Sequence, residues 1–202
     1  MIEIKDLYKS FGTKKVLLGV NLTIEQGETI VIIGRSGCGK SVLIKHIVGL
    51  LQPDSGYVKV ENKIVNDLNQ KELYDLRKKF GFLFQGAALF DSMTVEENVG
   101  LPLVESRIEY SKSDIKKIVE EKLSLVGLDE ILNLKPSELS GGMKKRVALA
   151  RALVTNPSYI LYDEPTTGLD PITVSYTHLR AHETVLDLVC RLLLETKNNY
   201  QH

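Results

Sequence analysis

The sequence has no excess of either charge, because 26 lysines and arginines balance 26 aspartates and glutamates. No block of like charge stands out, so nothing in the bulk electrostatics points to a nucleic acid or an anionic membrane as partner. Long apolar runs are missing too, and none approaches the roughly 18 residues of a membrane-spanning helix. The first residues lack the basic and apolar regions of a signal peptide. We therefore expect a cytoplasmic protein that binds no nucleic acid.

Cysteine is scarce as well, with only Cys38 and Cys190 in 202 residues. The two lie too far apart in sequence to predict a metal pair, and their small number agrees with a reducing compartment. Cys38 is either a redox-sensitive thiol or a small tolerated residue inside a glycine-rich stretch. The chain is long enough for one large domain with lobes and an ample core.

The most informative stretch reads Gly-Arg-Ser-Gly-Cys-Gly-Lys-Ser and matches the spacing G-x-x-x-x-G-K-[ST] of a phosphate-binding loop. The apolar, β-branched residues 30–33 before it predict a buried strand, and apolar residues at helical spacing follow it. A strand before the loop and a helix after it are the context that the motif requires, so a chance glycine turn is disfavoured. The predicted nucleotide-binding residues are Gly34, Arg35, Ser36, Gly37, Cys38, Gly39, Lys40 and Ser41.

The chemistry of this stretch suits a nucleoside triphosphate. Glycines let the backbone curl so that N–H groups point at phosphate oxygens, at the positive end of the following helix. Lys40 would then reach the β- and γ-phosphates, and Ser41 would bind Mg²⁺. His46, farther along that helix, is expected to be a surface or boundary residue and not a ligand.

The segment before the loop predicts an antiparallel β layer. Ile2, Ile4 and Leu7 alternate roughly like an edge strand, and a turn at 9–12 precedes further strand residues up to Ile24. Phe11 lies in that turn, where an aromatic ring either belongs to the core or stacks on an adenine ring. The residues alone leave both interpretations open.

Past the loop, residues 80–84 predict another buried strand, which ends at Gln85. An amide just beyond the carboxyl end of a strand is placed to meet a ligand at the sheet edge. Residues from about 87 to 155 are then mostly helical and form a second lobe inserted between strands. Thr94 is predicted to cap one of these helices, which Pro102 interrupts soon after.

A second helix start able to bind an anion follows at Ser140, Gly141 and Gly142, where glycines permit close approach. Next, an apolar strand at 159–162 ends in Asp163 and Glu164. Adjacent residues on a strand point to opposite faces, so the two carboxylates can hold different roles. A loop that binds Mg²⁺ and a nucleotide needs a carboxylate nearby, so we interpret these two residues as functional and not merely as surface charge.

In order and spacing, these motifs resemble the ATP-binding subunits of ABC transporters over residues 1 to about 173. The resemblance implies an α/β fold, with a P-loop NTPase core, a mixed sheet with an antiparallel β layer, and an inserted helical subdomain at about 87–155. It also implies an ATPase with ATP and Mg²⁺ as cofactors. Phe11 would stack on adenine, Asp163 would hold Mg²⁺ directly or through another ligand, and Glu164 would be the general base.

The same resemblance implies partners. Gln85 looks like the residue that senses Mg²⁺ and the γ-phosphate and relays to a membrane-embedded permease subunit, which would hold the protein at the cytoplasmic face of the inner membrane. Ser140, Gly141 and Gly142 resemble the signature that contacts the γ-phosphate bound by the other protomer. A head-to-tail homodimer closing on two ATP molecules is therefore expected.

Within the family, residues 77–90 look closest to the Mla and Mce type, which moves phospholipids or other hydrophobic lipids across the bacterial envelope. That branch adds an Mce-domain lipid-binding protein as a possible partner. An importer subunit for a small solute such as an amino acid is the alternative. A soluble ABC ATPase of DNA repair or translation fits less well, because those carry coiled-coil insertions or tandem cassettes.

The resemblance stops after residue 173. Relatives continue with a helix and a strand ending in a switch histidine, whereas residues 174–202 look like translated adaptor or vector sequence. His178 lies only fourteen positions after Glu164 (178 minus 164), too few for that helix and strand. An amphipathic helix is predicted at 185–193. We expect a core lacking its C-terminal part and little or no ATPase activity in this chain.

Overall fold

The computed structural model describes residues 1–35, 37–84, 86–106 and 108–162, together with the backbone of 189–191. The chain divides into two compact units, one of Met1–Lys78 with Asp187–His202 and one of Lys79–Leu186. No helix in the described ranges is long and apolar enough to cross a membrane.

An antiparallel sheet builds the first unit. Its strands are β1 (Ile2–Phe11), β2 (Lys14–Ile24), β3 (Ser55–Val60) and β4 (Lys63–Ile64), in the order β2-β1-β3-β4. Strands β1 and β2 are joined by a two-residue turn, in which glycine at position 12 adopts φ +59°. The prediction of an antiparallel β layer is confirmed. The alternating apolar side chains face inward and are buried at Ile2, Ile4, Leu7, Ile24, Val58 and Val60.

Helices α1 (Lys40–Ile47) and α2 (Gln70–Arg77) belong to the same unit. Helix α1 buries an apolar side that includes Leu43 and Ile44. Its last turn is held by the guanidinium of Arg77, which donates to the backbone oxygens of residues 48 and 49 at 2.9 Å each. These carbonyls would otherwise lack partners at the helix end, so the contact stabilises the helix that follows the glycine-rich loop.

Residues 30–33 do not form the predicted buried strand. Ile30 and Ile33 each make only an isolated bridge, and the side chain of Val31 is 39% exposed. A buried parallel strand needs neighbours on both edges and cover on both faces, and its own composition supplies neither. The prediction failed because apolar, β-branched residues favour a strand without providing its partners.

A parallel strand pair and three helices build the described part of the second unit. Strand β5 (Phe80–Leu83) pairs with β6 (Tyr159–Tyr162), and the rings of Phe80 and Tyr159 stack at 4.9 Å between centroids. A Cβ at Gly81 would lie 2.4 Å from the carbonyl oxygen of Ala152, so only glycine allows this close approach. The predicted strand before Gln85 is confirmed.

The three helices are α3 (Val95–Val104), α4 (Lys112–Leu125) and α5 (Gly141–Leu153). Thr94 caps α3 as predicted, since its hydroxyl accepts from the backbone N–H of Glu97 and the Glu97 carboxylate accepts from Thr94 in return. Pro102 does not end the helix, which continues to Val104. The prediction of a mostly helical stretch is confirmed, and that of the interruption is wrong.

Beyond residue 162, the structure describes only Val189–Arg191, a short strand β7. At these three residues the predicted amphipathic helix is wrong, because a short apolar pattern does not distinguish a helix from a strand. The predictions for Asp163, Glu164 and His178 lie outside the described residues.

Candidate nucleotide-binding site

The glycine-rich loop has the backbone of a phosphate-binding loop. Gly37 has φ +78° and Gly39 has φ +106°, conformations that glycine adopts without strain. A Cβ at Gly39 would also lie 2.9 Å from Cγ1 of Val16, so the loop passes closer to β2 than alanine would allow. The backbone N–H of Cys38 donates to the carbonyl of Arg35 at 3.2 Å and closes the turn. Both glycines are thus required by the shape of the loop.

Positive groups converge where the loop enters α1. The ammonium of Lys40 turns back over the loop and donates to the carbonyl oxygens of Gly34 at 2.8 Å and Arg35 at 3.2 Å. Gly39, at the N-cap, has no side chain to cap the first helical amides. The start of a helix and its dipole favour an anion at this position. Ser41 lies in the same first turn, half-buried. The arrangement fits a triphosphate.

The hairpin that carries Phe11 lies beside this loop. Lys9 pairs with Leu17 and Ser10 with Lys15, so Val16 is left over as an irregularity of β2, and its side chain approaches Gly39. Phe11 ends β1 in the same hairpin, with 47% of its surface exposed. The ring therefore does not belong to the core. Of the two interpretations of Phe11, the core interpretation is wrong, and the stacking interpretation stays a prediction.

A second helix start lies in the other unit. Ser140 is the N-cap of α5, and its hydroxyl accepts from the backbone N–H of Met143 at 3.2 Å. No described atom lies within 4 Å of the position that a Cβ would take at Gly141 or Gly142. Neighbouring described residues therefore do not require these two glycines. Glycine also weakens a helix, so its use here points to something that approaches from outside.

Four predicted site residues, Ser36, Gln85, Asp163 and Glu164, lie outside the described residues. The strands that lead toward three of them are described: Leu83 of β5 is paired with Tyr162 of β6 in a parallel ladder. Within the described ranges, no group of three or more histidine, cysteine, aspartate or glutamate side chains could hold a metal ion. The assigned roles of these four residues therefore stay predictions.

His46 is not at the surface, contrary to the prediction. It is 1% exposed on the buried side of α1, with Nδ1 2.7 Å from the carbonyl oxygen of Val42. Among the described residues, Nε2 has no hydrogen-bond partner. Burial lowers the pKa of His46, and the backbone carbonyls of Val42 and Gln52 offset part of this effect. The sequence could have indicated this burial, because His46 lies three residues after Leu43 and therefore on the apolar side of the helix.

No sequence pattern pointed to two polar side chains that hold the segment after Gln85. The guanidinium of Arg151 on α5 donates to the carbonyl oxygens of Ala87 and Ala88, at 2.8 Å each. Both alanines have positive φ, at 68° and 46°. The buried amide of Asn98 accepts from the backbone N–H of Phe90 at 2.8 Å and donates to its carbonyl at 3.1 Å. Arg151 and Asn98 thus fix residues 87–90.

The fold and the loop together define an α/β domain of the P-loop nucleotide-binding class. The model of the family described as ABC transporter matches residues 17–167. The chain belongs to this family, whose ATP-binding domains hydrolyse ATP.

Three relatives show how much of a longer protein this chain corresponds to. The chain is 43% identical over 197 residues to "Probable ribonucleotide transport ATP-binding protein mkl" of Mycobacterium bovis, which covers 98% of this chain and 55% of that protein. It is 50% identical over 180 residues to "Protein TRIGALACTOSYLDIACYLGLYCEROL 3, chloroplastic" of Arabidopsis thaliana, with 85% and 51% covered. It is 49% identical over 173 residues to "Methionine import ATP-binding protein MetN" of Clostridioides difficile, with 86% and 53% covered. The chain thus spans little more than half of each relative.

A solved structure supports the same fold. It is described as "Dimeric structure of a post-hydrolysis state of the ATP-binding cassette MJ0796 bound to ADP and Pi", and matches with a TM-score of 0.84 and 37% identity. The match covers 96% of this chain and 88% of the other. The predicted P-loop NTPase fold of an ABC ATPase is confirmed.

Proposed function

We propose that this chain binds ATP and belongs to the ATP-hydrolysing motor subunit of an ABC transporter, with residues 1–173 as its ATP-binding domain and only weak turnover of its own. The observation that carries the proposal is the contact between Val16 and Gly39. This contact places the hairpin of Phe11 next to the loop of Lys40, so one unit offers a surface for the base and a positive site for the phosphates. Family membership supports the same conclusion.

In this proposal, the ammonium of Lys40 exchanges loop carbonyls for the β- and γ-phosphate oxygens. Ser41 in the first turn of α1, with Gln85 and Asp163, would hold Mg²⁺, which supplies charge neutralisation during phosphoryl transfer. Glu164 would accept a proton from the attacking water. Positioning and charge neutralisation account for most of the catalysis in such reactions.

We place the other half of each ATP site on a second copy of the chain. Ser140, Gly141 and Gly142 would contact the γ-phosphate bound by that copy, and the open space at the two glycines supports a close approach from outside. The dimeric state named for the solved relative supports a homodimer. A membrane-embedded permease subunit would hold the dimer at the cytoplasmic face of the inner membrane.

For the transported substrate, we propose phospholipids or other hydrophobic lipids, with an Mce-domain protein as an added partner. The residues at 77–90 and the lipid in the printed name of the Arabidopsis relative support this choice. A small-solute importer is the second candidate, because the name of the Clostridioides relative specifies methionine. A permease gene beside a gene for an Mce-domain protein would favour lipids. A neighbouring gene for a soluble solute-binding protein would favour the importer.

The motor function is tested by ATP binding and turnover of the chain beside Lys40→Ala and Glu164→Gln. We expect Lys40→Ala to lose ATP binding, because it removes the cation of the loop, and Glu164→Gln to bind ATP without hydrolysing it. Replacing residues 174–202 with the corresponding segment of a family member, which contains the switch histidine, is expected to raise turnover, since a group that positions the reacting atoms is worth about 10²- to 10³-fold in rate. ATP binding that is unchanged in Lys40→Ala would overturn the proposal.

A further inference from the structure

We propose that Asp54 and Lys9 position Phe11 and thereby set the affinity of the site for the adenine base. The inference rests on the proposed function, in which Phe11 stacks on that base. Asp54 immediately precedes β3, far from Phe11 in sequence. Its two carboxylate oxygens nevertheless accept hydrogen bonds from consecutive residues of β1, the Lys9 ammonium at 2.9 Å and the Ser10 backbone N–H at 2.6 Å.

A third contact strengthens this connection. The backbone N–H of Asp54 donates to the carbonyl of Tyr8 at 2.9 Å. Asp54 therefore holds the three residues that directly precede Phe11 through three separate groups. These contacts occur where the β1-β2 pairing is irregular, between Lys9 and Ser10, beyond which Ser10 pairs with Lys15 and Phe11 with Lys14. Asp54 thus adds a second constraint on this end of the strand, from the side of β3.

Lys9 extends the same connection to the aromatic ring. Its ammonium lies over the ring of Phe11, 5.6 Å from the centroid, while it is bound to the Asp54 carboxylate. The Lys9 side chain is only 17% exposed, so it is held more firmly than a typical surface lysine. A cation over an aromatic face is attracted to it. Lys9 thus takes one face of the half-exposed Phe11 ring, and in this proposal the base stacks on the other face.

Preorganisation explains why this matters for affinity. Phe11 ends a strand and is half exposed, so an unrestrained ring would lose rotational freedom when a base stacked on it. The carboxylate that restrains it stays ionised, because the hydrogen bonds from Lys9 and Ser10 lower the pKa of Asp54. Asp54 and Lys9 act on the base only through Phe11 and are positioning residues.

The test distinguishes the contribution of the adenine base to affinity from that of the phosphates. Affinities for ATP and for inorganic tripolyphosphate, which lacks a base, would be measured by titration calorimetry with Mg²⁺ for the wild-type chain, Phe11→Ala, Asp54→Asn, Lys9→Met and Lys9→Arg. A matched control is Lys59→Gln, which breaks another ion pair of the same sheet, Lys59 with Glu3 at 3.5 Å, whose side chains are 30% and 27% exposed. Melting curves of all variants establish that they are folded.

We expect Phe11→Ala to weaken ATP binding by about fivefold or more, as for other bases stacked on aromatic rings. Asp54→Asn and Lys9→Met should each weaken it by about threefold through lost preorganisation. Tripolyphosphate affinity should stay unchanged in all three variants. Lys9→Arg should retain ATP affinity because it keeps the cation and its hydrogen bond, and Lys59→Gln should change neither ligand.

Three outcomes would contradict us in different ways. If Phe11→Ala leaves ATP affinity unchanged, the stacking role in the proposed function fails. If Phe11→Ala weakens ATP but Asp54→Asn and Lys9→Met do not, the positioning inference fails and the proposed function stands. Equal losses for ATP and tripolyphosphate in Asp54→Asn would assign this residue a general structural role and overturn the inference.

Discussion

At the scale of single residues, Gly39 and Gly142 allow a direct comparison of two glycines. Gly39→Ala puts a side chain at φ +106° and 2.9 Å from Val16, whereas Gly142→Ala enters open space at the start of a helix. We expect Gly39→Ala to destabilise the chain by about 1–3 kcal/mol, as strained backbone positions do. Gly142→Ala should be neutral or raise stability by up to roughly 1 kcal/mol, since alanine favours a helix.

Chemical denaturation of both variants checks this prediction, with ATP titration as a second measurement. Gly39→Ala should also weaken ATP binding, because the loop cannot keep its shape. Equal stabilities of the two variants would show that the contact with Val16 does not constrain the loop.

His46 gives a prediction about pH. Its ordinary pKa is 6.5 and burial lowers it in the folded state, so below pH 6.5 the unfolded chain takes up a proton that the folded chain resists. The free energy of unfolding should therefore fall as the pH drops below 6.5 toward the lowered pKa. Lys9 lowers this pKa further and Asp54 raises it, so both charges modulate the effect.

Urea denaturation at pH 7.5 and 5.5 tests the role of His46. The chain carries three other histidines, so the comparison with His46→Gln isolates this residue. We expect the variant to lose less stability on acidification than the wild type. Identical losses in both proteins would mean that the pKa of His46 is the same in the folded and unfolded chains, which contradicts the prediction.

At the scale of elements, Arg151 connects α5 to the segment after Gln85. Its two hydrogen bonds to Ala87 and Ala88 measure 2.8 Å, whereas Arg146 on the same helix makes longer bonds of 3.3 and 3.5 Å. Lysine cannot donate in this forked geometry. We expect Arg151→Lys to cost about 1 kcal/mol and Arg151→Met about 2, because two backbone carbonyls lose their donors and that of Ala87 is part-buried.

Hydrogen exchange of residues 86–90 with urea denaturation measures this effect. Arg146→Lys is the matched control and should cost less than Arg151→Lys. If Arg151→Met leaves exchange of this segment unchanged, the two hydrogen bonds do not hold it in place.

Elements were predictable where their signals are local. Thr94 and Ser140 mark helix starts through hydrogen bonds to residues three positions away, and such short patterns are visible in sequence. Residues 30–33 and 159–162 are both apolar, yet only the latter form a fully buried strand. Whether an apolar segment becomes a buried strand depends on the neighbouring strands and the side chains that cover it, which come from distant parts of the chain. The same limit applies to His46 and Arg151, whose environments come from packing.

At the scale of the whole molecule, composite sites predict complementation. Lys40→Ala damages the loop of its own copy, and Gly142→Val damages the signature offered to the partner copy. In the proposed head-to-tail dimer, each variant alone has no intact site, while a mixed dimer has one. Because only mixed pairs contain an intact site and associate, a fully paired equimolar mixture should recover about half of the intact sites of the wild type.

ATP-dependent dimerisation followed by sedimentation, in a Glu164→Gln background that slows turnover, provides the measurement. Each variant alone should stay monomeric with ATP, and the mixture should form dimers. The control is Gly142→Val titrated with ATP, which should bind as the wild type does. A mixture that stays monomeric would argue that both halves of a site come from one chain.

The open space at Gly141 and Gly142 also has a genetic consequence. In the proposed dimer, a larger side chain there would leave the fold and the loop of Lys40 intact, so the altered subunit would persist in the cell and pair with a normal copy. The proposed transporter would then contain a subunit that cannot operate it, and the allele should be dominant. A change at Gly39 destabilises the chain and the loop, which should lower the amount of the folded subunit, so the corresponding allele should be recessive.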